Sequence, residues 1–163
     1  MTQPDPIVLI HEALADSARV KLAMRELAPQ VVRVAARMAD AFRAGNRLYA
    51  CGNGGSACDA MHLVEELVAR YKADRPGLPA HHLLDAPTLT CWSNDYDYES
   101  AFRRQIQTLA RPGDVFVAIS TSGNSPNVLA AVEAAVSAGA VVIGLLGRDG
   151  GKIAPRCTQA LVV

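Results

Sequence analysis

A glycine-rich loop is the first segment with the residue types of a ligand site. Residues 51–56 read CGNGGS, in which the glycines allow a ligand close to the backbone and Ser56 could cap the helix that follows. The spacing is not the G-x-G-x-x-G of dinucleotide-binding turns, and no P-loop lysine follows, so neither a dinucleotide nor a nucleoside triphosphate is indicated. A plain strand-to-helix turn is an equally good interpretation.

A second loop combines four hydroxyl groups with the start of a helix. Residues 120–126 read STSGNSP, in which Ser125 is the expected N-cap and Pro126 the first helical residue. Free backbone N–H groups and the positive end of the helix dipole favour a phosphate monoester. The loop contains no Lys or Arg, which points to a small phosphorylated metabolite rather than a polyphosphate. The alternative is a capped helix without a ligand.

The predicted helix between these loops has one polar, titratable face. Its apolar stripe consists of Ala60, Leu63, Val64, Leu67 and Tyr71, and its polar wedge of Asp59, His62, Glu66 and Arg70. His62 and Glu66, four residues apart, could share a divalent metal or transfer protons. A surface ion pair between Glu66 and Arg70 is slightly favoured by spacing alone. The dipeptide Asn94-Asp95 is either a turn or a further part of the pocket.

The elements that would position these residues follow from hydrophobic patterning. Residues 7–42 read as two helices with a break at Pro29. From Arg47 onward, short apolar runs alternate with helical segments, and the runs at 115–119 and 141–146 are apolar on both faces, which is typical of covered parallel strands. The sequence predicts one α/β domain over 1–163, with N-terminal helices at 1–44 and a five-stranded parallel sheet between helices at 45–163. Ligands of such sheets bind at the carboxyl ends of the strands, where both polar loops fall.

Composition excludes several classes of partner. The 163 residues carry 16 basic and 16 acidic side chains, so the chain lacks the positive charge expected of a nucleic-acid binder. No basic leader and no apolar run of about 18 residues is present, which predicts a cytoplasmic protein with no membrane partner. The four cysteines form no CxxC pair, so neither a zinc knuckle nor a disulfide scaffold is indicated.

Residues 51–80 and 118–135, with the turn DGGK at 149–152, closely resemble the phosphoheptose isomerases of the sugar isomerase (SIS) domain family. The resemblance implies conversion of sedoheptulose 7-phosphate to D-glycero-D-manno-heptose 7-phosphate through an enediol. It also implies a role in bacterial lipopolysaccharide or surface-glycan heptose synthesis and a cytoplasmic homotetramer. A non-catalytic relative that binds the replication initiator offers an alternative, a phosphosugar-binding regulatory module.

The resemblance also assigns roles to individual residues. It implies Glu66 as the catalytic base and, in zinc-bound members, His62 and Glu66 as metal ligands. The implied substrate-binding residues are Asn53, Gly54, Gly55, Ser56, Glu66, Asn94, Asp95, Ser120, Thr121, Ser122 and Ser125. The family carries a further His and Gln on a C-terminal helix, and because the sequence stops at Val163 we expect that helix to be lacking. Identical subunits of a tetramer would not supply it.

Overall fold

The computed structural model describes residues 5–163. The chain begins with α1 (Pro6–Ala23), a 3₁₀ turn (Met24–Leu27) and α2 (Ala28–Arg43). The middle of the chain contains β1 (Leu48–Cys51), α3 (Gly55–Val68), β2 (Ala80–His82), α4 (Ala86–Asp95) and α5 (Ala101–Leu109). It ends with β3 (Val115–Ser120), α6 (Pro126–Ser137), β4 (Val141–Leu146), a second 3₁₀ turn (Ala154–Arg156) and β5 (Gln159–Val162).

All five strands form one parallel sheet in the order β2-β1-β3-β4-β5, which confirms the predicted α/β architecture. The central strands β1 and β3 pair in the register Leu48 to Val115 and Ala50 to Val117. Every residue of both strands is buried, because helices cover both faces of the sheet.

Two apolar cores hold the helices against the sheet. On one face, Phe102 and Ile106 of α5 pack with Val128 and Val132 of α6 against Phe116. On the other face, α2 and α3 pack against the alternate residues of the same strands, with Val34, Val64, Val115, Val117 and Ile143 buried there. Successive side chains of a strand point to opposite faces of the sheet, so each apolar run contributes residues to both cores.

Several local predictions need correction. The N-terminal helices are interrupted by the 3₁₀ turn, while Pro29 lies in the first turn of α2, where its missing N–H costs no helical bond. Helix α3 ends at Val68, so Tyr71 lies outside the core stripe and is 58% exposed. The Arg75 guanidinium binds the carbonyls of Glu66 at 2.6 Å and Leu67 at 2.8 Å, which satisfies acceptors at this helix end. Within residues 5–163, no helix has the length and apolar character needed to span a bilayer.

Candidate functional site

The two polar loops meet at the topological switch point of the sheet, where the connections from two neighbouring strands lead to opposite edges. Strand β1 continues through α3 to β2 on one side of the sheet, and its neighbour β3 continues through α6 to β4 on the other. The two connections diverge, which opens a crevice at the carboxyl ends of β1 and β3, the usual ligand position in open α/β sheets.

The loop after β3 gathers hydroxyl groups around the start of α6. The Oγ atoms of Ser120 and Ser125 lie 3.1 Å apart, and Ser120 Oγ also accepts a hydrogen bond from the Gly123 N–H at 3.2 Å. Ser125 is the N-cap residue and Pro126 begins the helix, as predicted, but the Ser125 side chain makes no bond to the helix N–H groups. It faces Ser120 instead, so the hydroxyl pair and the helix start lie side by side. Ser122 binds its own loop through Asn124 N at 3.1 Å, and Thr121 is exposed.

The turn that contains residues 149–152 braces this loop from behind. The Asn124 side-chain carbonyl accepts a hydrogen bond from Lys152 N at 3.1 Å, and the Gly123 carbonyl accepts one from Ile153 N at 3.0 Å. Gly123 has φ +63°, and a Cβ there would overlap the backbone of Gly150. The position therefore requires glycine both for its backbone angle and for its close packing.

The loop after β1 turns sharply into α3. Gly54, with φ +56°, is the N-cap of α3, and no side chain caps this helix start. The prediction that Ser56 caps the helix was wrong, because Ser56 already lies within the first turn, where it is 8% exposed. A Cβ on Gly52 would lie 2.5 Å from the Ser56 carbonyl oxygen, so this glycine lets the turn close.

A side-chain amide pair joins the two loops, and sequence reasoning missed it. Asn53 Nδ2 donates to Asn127 Oδ1 at 2.8 Å, and Asn127 Nδ2 donates to Asn53 Oδ1 at 2.9 Å. The Tyr98 hydroxyl also donates to Asn53 Oδ1, at 2.8 Å. Asn127 is only 3% exposed. Its position two residues after the N-cap Ser125 is the only sequence signal that could have marked it.

The polar face of α3 brings titratable groups together. His62 Nε2 lies 3.3 Å from Glu66 Oε1, and Glu65 joins them in a group whose ligand atoms all lie within 4.8 Å of one another. The His62 side chain is 72% exposed and that of Glu66 is 32% exposed. Arg70 lies beyond the end of α3 and makes no ion pair with Glu66 within the described range 5–163. Among the described residues, Glu66 therefore pairs with His62 rather than with Arg70.

Asn94 and Asp95 lie at the end of α4, a helix that patterning did not anticipate. Both side chains are exposed, and Asn94 Nδ2 donates to Asp95 Oδ1 at 2.9 Å. The described hydrogen bonds do not tie either residue to the loops after β1 and β3. Tyr98, three residues beyond Asp95, makes the connection through Asn53.

A cavity of about 340 Å³ lies at the carboxyl ends of β3, β4 and β5. Ser56, Asp59, Ser120 and Thr121 form part of its wall. Most of the remaining wall is apolar and comes from the 3₁₀ turn, α2 and the strand ends, with Met24, Leu27, Val31, Ile119, Leu145 and Leu161. Polar groups of both loops therefore border one concave space.

Comparison with known proteins supports one family. The SIS domain family profile matches residues 14–147. The phosphoheptose isomerase of Pelobacter propionicus is 50% identical over 147 residues, which cover 90% of this chain and 78% of that protein. The phosphoheptose isomerase of Klebsiella pneumoniae is 52% identical over 124 residues, which cover 76% of this chain and 64% of that protein.

A solved structure agrees with the sequence matches. The phosphoheptose isomerase of Neisseria gonorrhoeae superposes with a TM-score of 0.88 at 39% identity, over 94% of this chain and 82% of that one. The range matched by the family profile, 14–147, includes β1 to β4 and both polar loops.

Proposed function

Because the chain belongs to the SIS domain family, we propose that it is an aldose–ketose isomerase that converts sedoheptulose 7-phosphate to D-glycero-D-manno-heptose 7-phosphate. The observation that carries the proposal is the hydroxyl-lined start of α6 at the switch point of the sheet. The His62–Glu66 pair lies on α3, the helix that leaves the same switch point after β1, and supplies the base. Relatives with about 50% sequence identity are named phosphoheptose isomerases, which supports a phosphoheptose as the substrate of this chain.

The loop after β3 holds the phosphate in this proposal. Ser120 and Ser125 offer two hydroxyls 3.1 Å apart, and the N-terminus of α6 lies beside them without a side-chain cap. Backbone N–H groups and the helix dipole stabilise a dianion at such a position, so no lysine or arginine is needed in the loop. Thr121 and Ser122 complete the proposed phosphate cradle. Across the crevice, Asn53, Gly54, Gly55 and Ser56 contact the sugar, with Asn94 and Asp95 at its rim.

Glu66 acts as the base. Its carboxylate removes the proton from C1 of the ketose as O2 gains a proton, which yields the enediol. The hydroxyl on C1 then loses its proton while C2 gains one, so the aldehyde forms at C1 with no net proton change. His62, 3.3 Å from Glu66, orients the carboxylate. The Glu66 side chain is less exposed to water than that of His62, which suits a catalytic base.

The donor set of α3 fits a zinc ion. One imidazole nitrogen and two carboxylates within 4.8 Å of one another are ligand types that zinc accepts, and we propose His62 and Glu66 as ligands. A bound zinc would polarise the substrate carbonyl. With or without zinc, the chain's own residues would hold the sugar against Glu66.

An oligomer is consistent with the exposed apolar surface of α1. This 18-residue helix has no buried residue, and Ile7, Ile10 and Leu14 are each more than half exposed. Apolar patches of this kind mark protein–protein contacts. We propose a homotetramer, located in the cytoplasm, that supplies heptose for lipopolysaccharide or surface-glycan synthesis.

The decisive experiment is turnover of sedoheptulose 7-phosphate by the chain and by Glu66→Gln. The substitution keeps the shape of the side chain but removes the base, so turnover should fall by about 10²- to 10⁴-fold while sugar-phosphate binding is retained. Glu133→Gln on α6, where Glu133 lies 3.9 Å from Arg156, is the matched control and should leave turnover unchanged.

Undiminished turnover by Glu66→Gln would remove Glu66 as the base. If the chain binds the sugar phosphate without turnover and captures the replication initiator protein in a pull-down, it is instead a regulatory binding module.

A further inference from the structure

The amide pair between the loops leaves Asn53 with one free hydrogen-bonding group. Its carbonyl oxygen already accepts from Asn127 at 2.9 Å and from Tyr98 at 2.8 Å, which uses both lone pairs. One N–H of its Nδ2 donates to Asn127 at 2.8 Å, and the second N–H has no partner among the described residues. Anything further that Asn53 binds must therefore accept a hydrogen bond.

The backbone of α6 fixes this orientation. Asn127 Oδ1 accepts the Val128 N–H at 3.0 Å, so a flipped Asn127 amide would place two N–H donors against each other. With Asn127 held, a flipped Asn53 would face its partner donor to donor and acceptor to acceptor. One backbone N–H thus determines, through two side chains, that Asn53 offers an N–H rather than a carbonyl.

We propose that Asn127 is a positioning residue, which orients Asn53 so that its free N–H donates to an oxygen on the sugar part of the substrate. The inference rests on the proposed isomerase function and adds a role for a residue that contacts no substrate itself. An N–H donor stabilises an oxygen on which negative charge develops during enediol formation.

Burial makes the pair suited to this task. Asn127 is 3% exposed, so water does not compete for its bonds, and breaking the pair would leave buried amide groups unsatisfied. The pair also spans 74 residues between the sugar-binding loop and the first turn of the phosphate-binding helix. It therefore sets the separation of the two loops as well as the polarity of Asn53.

A double-mutant cycle on kcat and KM tests the proposal with Asn53→Ala, Asn127→Ala and the double variant. If Asn127 acts through Asn53, then Asn127→Ala lowers kcat by about 10- to 100-fold, and the double variant is no slower than Asn53→Ala alone. Gln105→Ala is the matched control, because Gln105 is also a buried amide and donates to Leu83 O at 3.1 Å in another part of the fold. It should lower the unfolding midpoint and leave kcat unchanged.

Additive losses in the cycle, or an unchanged kcat in Asn127→Ala, would overturn the proposal. A readout independent of turnover is the side-chain amide resonance of Asn53 during titration with sedoheptulose 7-phosphate. We expect one of its two proton signals to shift in the wild-type chain and neither in Asn127→Ala. Absence of turnover with the wild-type shift present would refute the isomerase function alone, and a shift that persists in Asn127→Ala would refute the positioning role.

Discussion

Gly123→Ala probes the packing of the phosphate loop against the turn at 149–152. Gly123 has φ +63°, and an added Cβ would overlap the Gly150 carbonyl group. The left-handed conformation costs an alanine about 1–2 kcal/mol, and forcing backbone apart adds about 1–3 kcal/mol. We expect the free energy of unfolding to fall by about 2–5 kcal/mol, a urea midpoint shift of about 1–2 M. The folded domain should survive, since such domains have about 5–15 kcal/mol of stability.

Gly45→Ala is the matched control for this change. Gly45 has φ +81° in the turn after α2, and a Cβ there would meet nothing within 4 Å. It should lose only the conformational part, about 1–2 kcal/mol, with no change in kinetics. The difference between the two variants isolates the collision between Gly123 and Gly150.

The kinetic consequence separates loop displacement from simple destabilisation. Moving the loop at Gly123 shifts Ser120, whose Oγ accepts the Gly123 N–H, and with it the Ser125 hydroxyl. The KM for sedoheptulose 7-phosphate should rise by about 10- to 100-fold, measured well below the melting temperature. The reasoning is refuted if Gly123→Ala matches Gly45→Ala in both urea midpoint and KM.

Three further predictions concern other contacts. Ser125→Ala should raise KM about tenfold with kcat little changed, because it removes one neutral hydrogen bond to the phosphate; an unchanged KM in steady-state kinetics would exclude that bond. Exposed Cys58 should alkylate rapidly at pH 8 while Cys157, whose pKa burial raises to about 11, reacts only on unfolding, as mass mapping of labelled peptides would reveal. The side-chain and backbone hydrogen bonds from Thr88 lower the pKa of the Asp85 carboxyl below its ordinary 3.8, so its contribution is present above that pH and is lost as pH falls through the lowered pKa. Acid unfolding below about pH 4 should therefore be shallower in Asp85→Ala, and parallel curves would contradict the capping role.

The sheet and its two loops could be predicted because their signals are local. Apolar runs such as residues 115–120 must be covered on both faces, and the Ser125-Pro126 step marks a helix start. These features depend on nearest neighbours and on period alone, so tertiary contacts did not override them.

The predictions that failed depend on contacts between distant residues. Helix α3 ends at Val68 because Arg75 binds carbonyls in its last turn, an interaction that helical periodicity does not contain. Helix α4 contains Pro87 and β-branched threonines, which lower the helix propensity of the segment. In the structure the Asp85 side chain caps this helix by accepting a hydrogen bond from Thr88 N. The pairing of Asn53 with Asn127 could not be predicted, because it joins side chains 74 residues apart and no local pattern specifies which two asparagines pair.

The pairing of β1 with β3 also has a consequence for synthesis of the chain. Leu48 pairs with Val115, and Asn53 forms hydrogen bonds with Asn127. Formation of the crevice therefore requires closure of a loop of more than 60 residues. Such closure is slow compared with local helix formation. During translation at about 5–20 residues per second, α2, β1 and α3 emerge several seconds before β3. The crevice can therefore bind a ligand only late in synthesis, after β3 and the start of α6 have emerged and packed against β1.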